Sequence, residues 1–193
     1  SLSITADSAI DAHAETYGLS AGVGAFTSNF AFATVDAEAQ ADIGTNAKIY
    51  MAGDVTGSAV ASPKVKAEVF GVSVGVGAGL GVSYAKAIAA QDVTASVGDG
   101  SQIHAASLSV TARLDRPDGT NPKNAYAKAI AGGGGILLGA QGAVAEATAS
   151  GAVSASVGNN VFLPDGDVKP HVATPKARLL DGTVTYPGQP TLF

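Results

Sequence analysis

Apolar residues recur at every second position over long stretches of this chain, and the stretches repeat one another. Ala31, Ala33, Val35, Ala39, Ala41 and Ile43 share one face of a period-2 pattern. Ala85, Ala87, Ala89, Val93, Ala95 and Val97 take the same places in a second copy, and Ala145, Ala147, Ala149, Val153, Ala155 and Val157 in a third. The alternate face reads Asp36, Glu38, Gln40, Asp42 in the first copy and Lys86, Asp92, Thr94, Ser96 in the second. Strict alternation predicts a half-exposed β-strand. The Ala, Glu and Gln of the first copy favour helix, but the period holds in all three copies, and the later ones substitute Val, Thr and Ser, which favour strand.

A second alternating arm precedes each of these, at residues 13–25, 66–78 and 126–138. One of its faces is small: Ala14, Ala67 and Ala127 coincide, as do Gly18, Gly71 and Ala131. The other carries Tyr17, Phe70 and Ile130 at one common position. Both faces are apolar beyond the first positions, so both are expected to meet other protein. Short turns are expected between the arms at residues 27–29, 79–81 and 139–142, and corners at Gly44, Gly98 and Gly158. Short strands are expected to open the copies at residues 2–6, 51–57 and 108–112.

The spacing of the first two copies is near 53 residues, and the third is displaced by seven more. A polar loop at residues 113–124, rich in Pro, Asp and Gly, absorbs that insertion. The pattern divides the chain into repeat 1 (1–54), repeat 2 (55–107), repeat 3 with its insertion (108–168) and a Pro-rich tail (169–193), in which Asp181-Gly182 signals a hairpin. The expected fold class is all-β: a repeat-built β-solenoid or stacked β-hairpin array with long Ala/Gly/Val-rich strands.

Composition sharpens this picture. There are 38 Ala and 25 Gly in 193 residues, with no Trp and no Cys. Gly is about twice its ordinary share of roughly 7%, and small side chains imply backbones in close approach. The formal charge is -5, and the 11 Lys and Arg are scattered singly, so no basic stripe exists for nucleic acid. The absence of Cys excludes disulfides and thiolate metal sites, and it suits an extracellular chain. Two uncharged stretches, 69–84 and 130–145, are too short and too Gly-rich for a membrane-spanning helix. No membrane span of either kind is expected, because Thr, Ser, Asp and Lys on the outward positions make no lipid-facing band.

Candidate chemistry is thin. Gly18-Leu19-Ser20-Ala21-Gly22 and Gly71-Val72-Ser73-Val74-Gly75 fit the pattern of a hydrolase nucleophile elbow. However, Ser20 and Ser73 hold one repeat position that becomes Gly133 in the third copy, and an elbow needs a strand turning into a helix. The Gly runs lack the Gly-Lys-Ser/Thr of a phosphate loop. His13, His104 and His171 never recur at metal-ligand spacing. Asp99, Asp115 with Asp118, and Asp165 with Asp167 lie in turn contexts where weak calcium binding is conceivable and ordinary turn roles are expected. No catalytic, cofactor-binding or metal residue is assigned, and the chain is read as a non-enzyme.

The runs ASVGDGSQIHAASLSVTA, AYAKAIAGGGG and AVAEATASGAVSASVG resemble the repeats of very large bacterial surface proteins of the leukotoxin-type filamentous adhesin class. The similarity spans roughly residues 1–167 and excludes the tail. It implies a secreted, cell-surface β-solenoid rod that contacts itself or other cells. The expected function is therefore a structural or adhesive segment of an extracellular filament; the alternative is a polysaccharide-active enzyme or ligand-binding module on the same scaffold. Because Ser1 enters a repeat opener directly, the N-terminal edge is expected to be completed by another copy through strand addition, head to tail. A host or neighbouring cell surface is the other expected partner.

Overall fold

A computed structural model describes residues 1–115 and 125–161. The expected tail hairpin and most of the expected 113–124 loop lie outside them. Among the described residues the protein is all-β and its paired strands are parallel. The chain makes three successive passes. The first holds β1 (Leu2–Ile43) and β2 (Lys48–Tyr50), the second β3 (Val55–Val97) and β4 (Gln102–His104), and the third β5 (Leu108–Leu114), β6 (Ala125–Gly135) and β7 (Leu138–Val157).

β3 is the middle of the assembly, with β1 on one side and β5, β6 and β7 on the other. Leu2 pairs with Val55, and Val55 with Leu108. Beyond the reversal Ala31 pairs with Ala85, and Ala85 with Ala145. β2 and β4 form a separate short parallel pair. Backbone bonds continue the stacking through the corners, with Gly98 N–H donating to the Ile43 carbonyl at 2.7 Å and Gly158 N–H to that of Val97 at 2.8 Å. The two arms within one pass are thus not hairpin partners in a ladder; each pairs with the matching arm of the next pass.

The arms do face one another. The Thr16 hydroxyl donates to the Phe30 carbonyl at 3.0 Å, and Gly71 backs onto Asn29 and Ser83. Reversal occurs at Gly22 to Ala25, Gly75 to Ala78 and Gly135 to Leu138, a few residues before the turns expected at 27–29, 79–81 and 139–142, which lie within strands. The reversal is tight because Gly lines it: a Cβ on Gly75 would fall on the Ala78 carbonyl, and one on Gly135 on that of Leu138. The register slips by one residue between Gly22 and Gly24, where the second pass has one residue more. The second opener likewise starts at Val55, not at residue 51.

The expected corners at 44, 98 and 158 are present, and each relies on a left-handed residue two positions on. Asn46 (φ 54°), Gly100 (φ 71°) and Asn160 (φ 56°) occupy one stacked position. Asn tolerates this conformation better than most side chains, and Gly adopts it without steric cost. Ser101 is fully buried beneath this corner, its hydroxyl 2.8 Å from the Gly98 carbonyl and 3.1 Å from that of Gly44.

The core lies between facing arms in two clusters. One joins Ala39, Ala41, Val55, Val93, Val97 and Ile103 near the corners; the other joins Ala31, Ala33, Val65, Val69, Ala85 and Ala87 nearer the reversal. Alternation places the expected face inward in the first two passes. In the third pass Ala145 and Ala147 are exposed, unlike Ala31 and Ala33 at the same positions of the first pass. This separates Ala87 from Ala147, two residues at one repeat position. Ala87→Leu is expected to destabilise by about 1 to 3 kcal/mol through overpacking, while Ala147→Leu and Thr148→Leu change stability by less than about 0.5 kcal/mol, as surface substitutions do. Equal losses for Ala87 and Ala147 in urea unfolding would refute the assignment.

The insertion lies between the residues that pair with Ala61 and Val65, on either side of Pro63. Val55 N–H donates to the Ser107 carbonyl, so alternate residues of β3, the odd-numbered ones here, direct their amides to the third pass. Pro63 has no amide to direct there. Among the described residues β5 ends at Leu114 opposite Ala61, and pairing resumes at Val65 with Ala125.

Candidate functional site

The residues singled out for chemistry have structural surroundings. Ser73 is wholly buried and its hydroxyl donates to the Ala25 carbonyl at 2.9 Å; Ser20 sits one pass away within continuous strand. A hydroxyl pointing into a packed interior from an uninterrupted strand has none of the exposure of a nucleophile elbow. His13 Nε2 lies 3.9 Å from Glu15 and 4.0 Å from Glu68, and the His104 ring stacks on Tyr50 at 4.6 Å. His171, Asp118, Asp165 and Asp167 lie outside the described residues. Asp115 pairs with Arg113 at 2.7 Å, and Asp99 Oδ1 accepts the Asn159 amide at 2.6 Å, linking two corners. No group of three or more potential ligands that could hold a metal ion occurs among the described residues.

The polar surface is instead organised as ladders between passes. Asp42 accepts the Ser96 hydroxyl at 2.6 Å, and Asp54 that of Ser107 at 2.6 Å. Glu68 stands opposite Lys128, and Lys86 opposite Glu146 at 3.4 Å. Lys128 lies over the Phe70 ring, 5.1 Å from its centroid, while Glu68 takes Lys66 at 2.6 Å. Exposed pairs of this kind contribute about 0 to 1 kcal/mol each, so they adjust register more than they hold the fold.

Glu146 gives a measurable sign. It accepts the Tyr84 hydroxyl at 2.8 Å, and this bond, then Lys86, holds its carboxyl below the usual range. The same bond raises Tyr84 above the usual phenol value. A depressed carboxyl stabilises the fold above its unfolded pKa, and the contribution fades as pH falls through the folded value. In an NMR titration the Glu146 midpoint is expected below that of an ordinary glutamate, moving up in Tyr84→Phe and less in Lys86→Ala. A midpoint unmoved by both changes would remove the bond from the account.

Two surfaces remain unpartnered. One is the pair of strand edges, β1 on one side and β5, β6 and β7 on the other, whose outward amides have no neighbouring strand among the described residues. The other is the outside of the reversal, which the sequence expectation had covered by protein. Tyr17 is 70% exposed, Leu19 80% and Leu137 84%. The signal was legible as an inverted alternation. At the reversal the inward positions are Gly, Ser and Asn, and the large apolar residues take the outward ones. No protein-family model, no curated protein and no solved structure matches this chain.

Proposed function

We propose that this chain is a structural or adhesive segment of an extracellular filamentous surface protein, built as a β-solenoid whose repeats stack end to end by strand addition. The observation supporting this most directly is the two-sided pairing of β3: one strand carries matching parallel neighbours on both flanks, at homologous positions, and among the described residues both outer neighbours leave an edge of the same kind. A contact that joins one edge to the opposite edge of another copy does not close on itself, so it propagates. A secreted, cell-surface location and contact with other cells follow from the resemblance of the repeats. Nothing in the polar ladders converges as an active site would.

Edge-blocking proline substitutions test the reading. Leu2 N–H donates to the Asp54 carbonyl, so even-numbered residues at the start of β1 face β3 and odd-numbered ones face the open edge. Asp7→Pro and Asp11→Pro each remove an outward amide without touching the inner ladder. By electron microscopy and sedimentation, the unmodified 193-residue chain is expected to form rods that lengthen with concentration, and the double variant only short particles with the same β circular dichroism. A compact monomer at high concentration for the unmodified chain would overturn the filament reading.

A further inference from the structure

The reversal end of each pass is built inside out relative to the rest. Near the corners the interior is Val, Ile and Ala and the exterior Asp, Gln, Thr and Ser. At the reversal the interior includes Gly71, Ser73, Ser83 and Asn29, with the Asn29 Nδ2 and Ser83 Oγ lacking hydrogen-bond partners. The exterior there carries Leu19, Phe26, Phe30, Val74, Leu80 and Ile136. A polar inside and apolar outside is the arrangement of β-structure surrounded by hydrocarbon. One chain thus follows the rule for water at one end and the rule for lipid at the other.

The boundary between the two regimes is level across the first arm and lies within one outward position on the facing arm. On the first arm the outward residue changes from Glu15 to Tyr17, Glu68 to Phe70 and Lys128 to Ile130, at one stacked position. On the facing arm it changes from Tyr84 to Lys86 and from Val144 to Glu146, while in the first pass the exposed Phe32, opposite Lys86, carries the apolar face one outward position further, to Thr34. The bond from Thr16 to Phe30 places the first-arm transition at the height of the ladder position that holds Phe30 and Tyr84. A protein partner laid on one face has no need of a matched boundary on the other, whereas a planar interface requires one. From Tyr17 to Val23 the apolar arm runs about 20 Å at roughly 3.3 Å per residue, against a leaflet hydrocarbon depth of about 15 Å, half of a roughly 30 Å core.

The collar matches a headgroup layer. Tyr17 donates to Glu15 and Tyr84 to Glu146, so both phenols turn their polar ends away from the apolar tip, as interfacial aromatics do. Lys66, Lys86 and Lys128 balance Glu15, Glu68 and Glu146 at the boundary, in a chain whose total is -5. A collar presenting both signs is complementary to zwitterionic headgroups, with the acidic corner end held away. The apolar exterior also exceeds what monomers expose: taking about 60 Å² for each of the large side chains involved gives on the order of 900 Å², above the roughly 300 to 600 Å² of a typical largest patch.

We propose that the reversal edge of the stacked strands inserts into the outer leaflet of a phosphatidylcholine-like lipid surface, with the Tyr, Lys and Glu collar at headgroup level. The insertion is peripheral and does not span the bilayer. β3, paired on both flanks, occupies the deepest position at least cost, because unpaired edge amides resist hydrocarbon.

The chain has no Trp, so single reporters can be placed cleanly. With phosphatidylcholine vesicles, the Val74→Trp variant is expected to shift its emission to the blue and to be quenched severalfold by chain-brominated lipid, while a Thr94→Trp variant on the same strand is unaffected. In flotation, Leu19→Thr, Val74→Thr and Leu80→Thr combined should lower the vesicle-bound fraction at least tenfold with β circular dichroism unchanged, and Val60→Thr should not lower it. The proposal fails if the unmodified chain does not float, or if it floats with Val74→Trp unquenched. It also fails if Val74→Trp is already blue-shifted without lipid in a dimer seen by sedimentation, which would assign the face to a second copy.

Discussion

Replacing Gly75 by valine is expected to destabilise the protein by about 3 kcal/mol or more, the upper end of overpacking costs, and to lower Tm by several degrees, at roughly 2 to 4 °C per kcal/mol for a chain of this size. The residue sits where β3 folds back, and an added Cβ would lie on the Ala78 carbonyl and against the Gly79 amide. These are backbone atoms of a strand paired on both sides, so they cannot move without disturbing β1 and β7 together. At Gly71 the obstructing atoms are instead the side chains of Asn29 and Ser83, which have rotamers to spare. Gly71→Ala is therefore expected to cost less than Gly75→Val, although its surroundings are equally buried. Thermal melts followed by circular dichroism decide the matter. A Gly75→Val shift below about 2 °C, or a larger loss at Gly71, would mean that the fold-back is not set by backbone contact.

Much of this arrangement is written in the alternation. Period-2 placement of Ala and Val fixes which side of each strand faces inward, and the alignment of the copies gives the pairing of Ala31 with Ala85 and of Ala85 with Ala145. The corners were legible because Gly44, Gly98 and Gly158 interrupt that alternation at homologous places. The position of the reversal was not legible from turn chemistry. Residues 27–29 look like a turn by composition, yet Thr27 and Asn29 are buried strand residues. The chain reverses instead where Gly permits two backbones to touch, a property of the facing arm and not of the local sequence. The outer apolar face was visible in Tyr17 and Phe70, whose rings stack at 5.3 Å. That it would stay uncovered depends on how many passes surround it, which no local pattern encodes.

Gln91 is the clearest departure from the inward rule, and it makes the last prediction. It lies on the core face of β3 at 2% exposure, and neither atom of its amide has a hydrogen-bond partner. Its ladder neighbours are Ala37 and Gly151, which offer it no polar side chain. A buried unsatisfied amide costs about 1 to 3 kcal/mol, whereas methionine fills a similar volume with an unbranched, adaptable chain. Gln91→Met is accordingly expected to raise stability by about 1 kcal/mol or more, against the general trend that core substitutions destabilise. The cost can also be relieved from the neighbouring strand. Stacked Gln side chains on adjacent strands can bond to one another, so Ala37→Gln is expected to be better tolerated beside Gln91 than beside methionine. A double-mutant cycle in urea measures that coupling directly, with an interaction of about 0.5 kcal/mol or more favouring the Gln pair. If Gln91→Met lowers the unfolding midpoint and the cycle shows no coupling, the amide is satisfied in solution and the register of β3 against β1 has no tie to this residue.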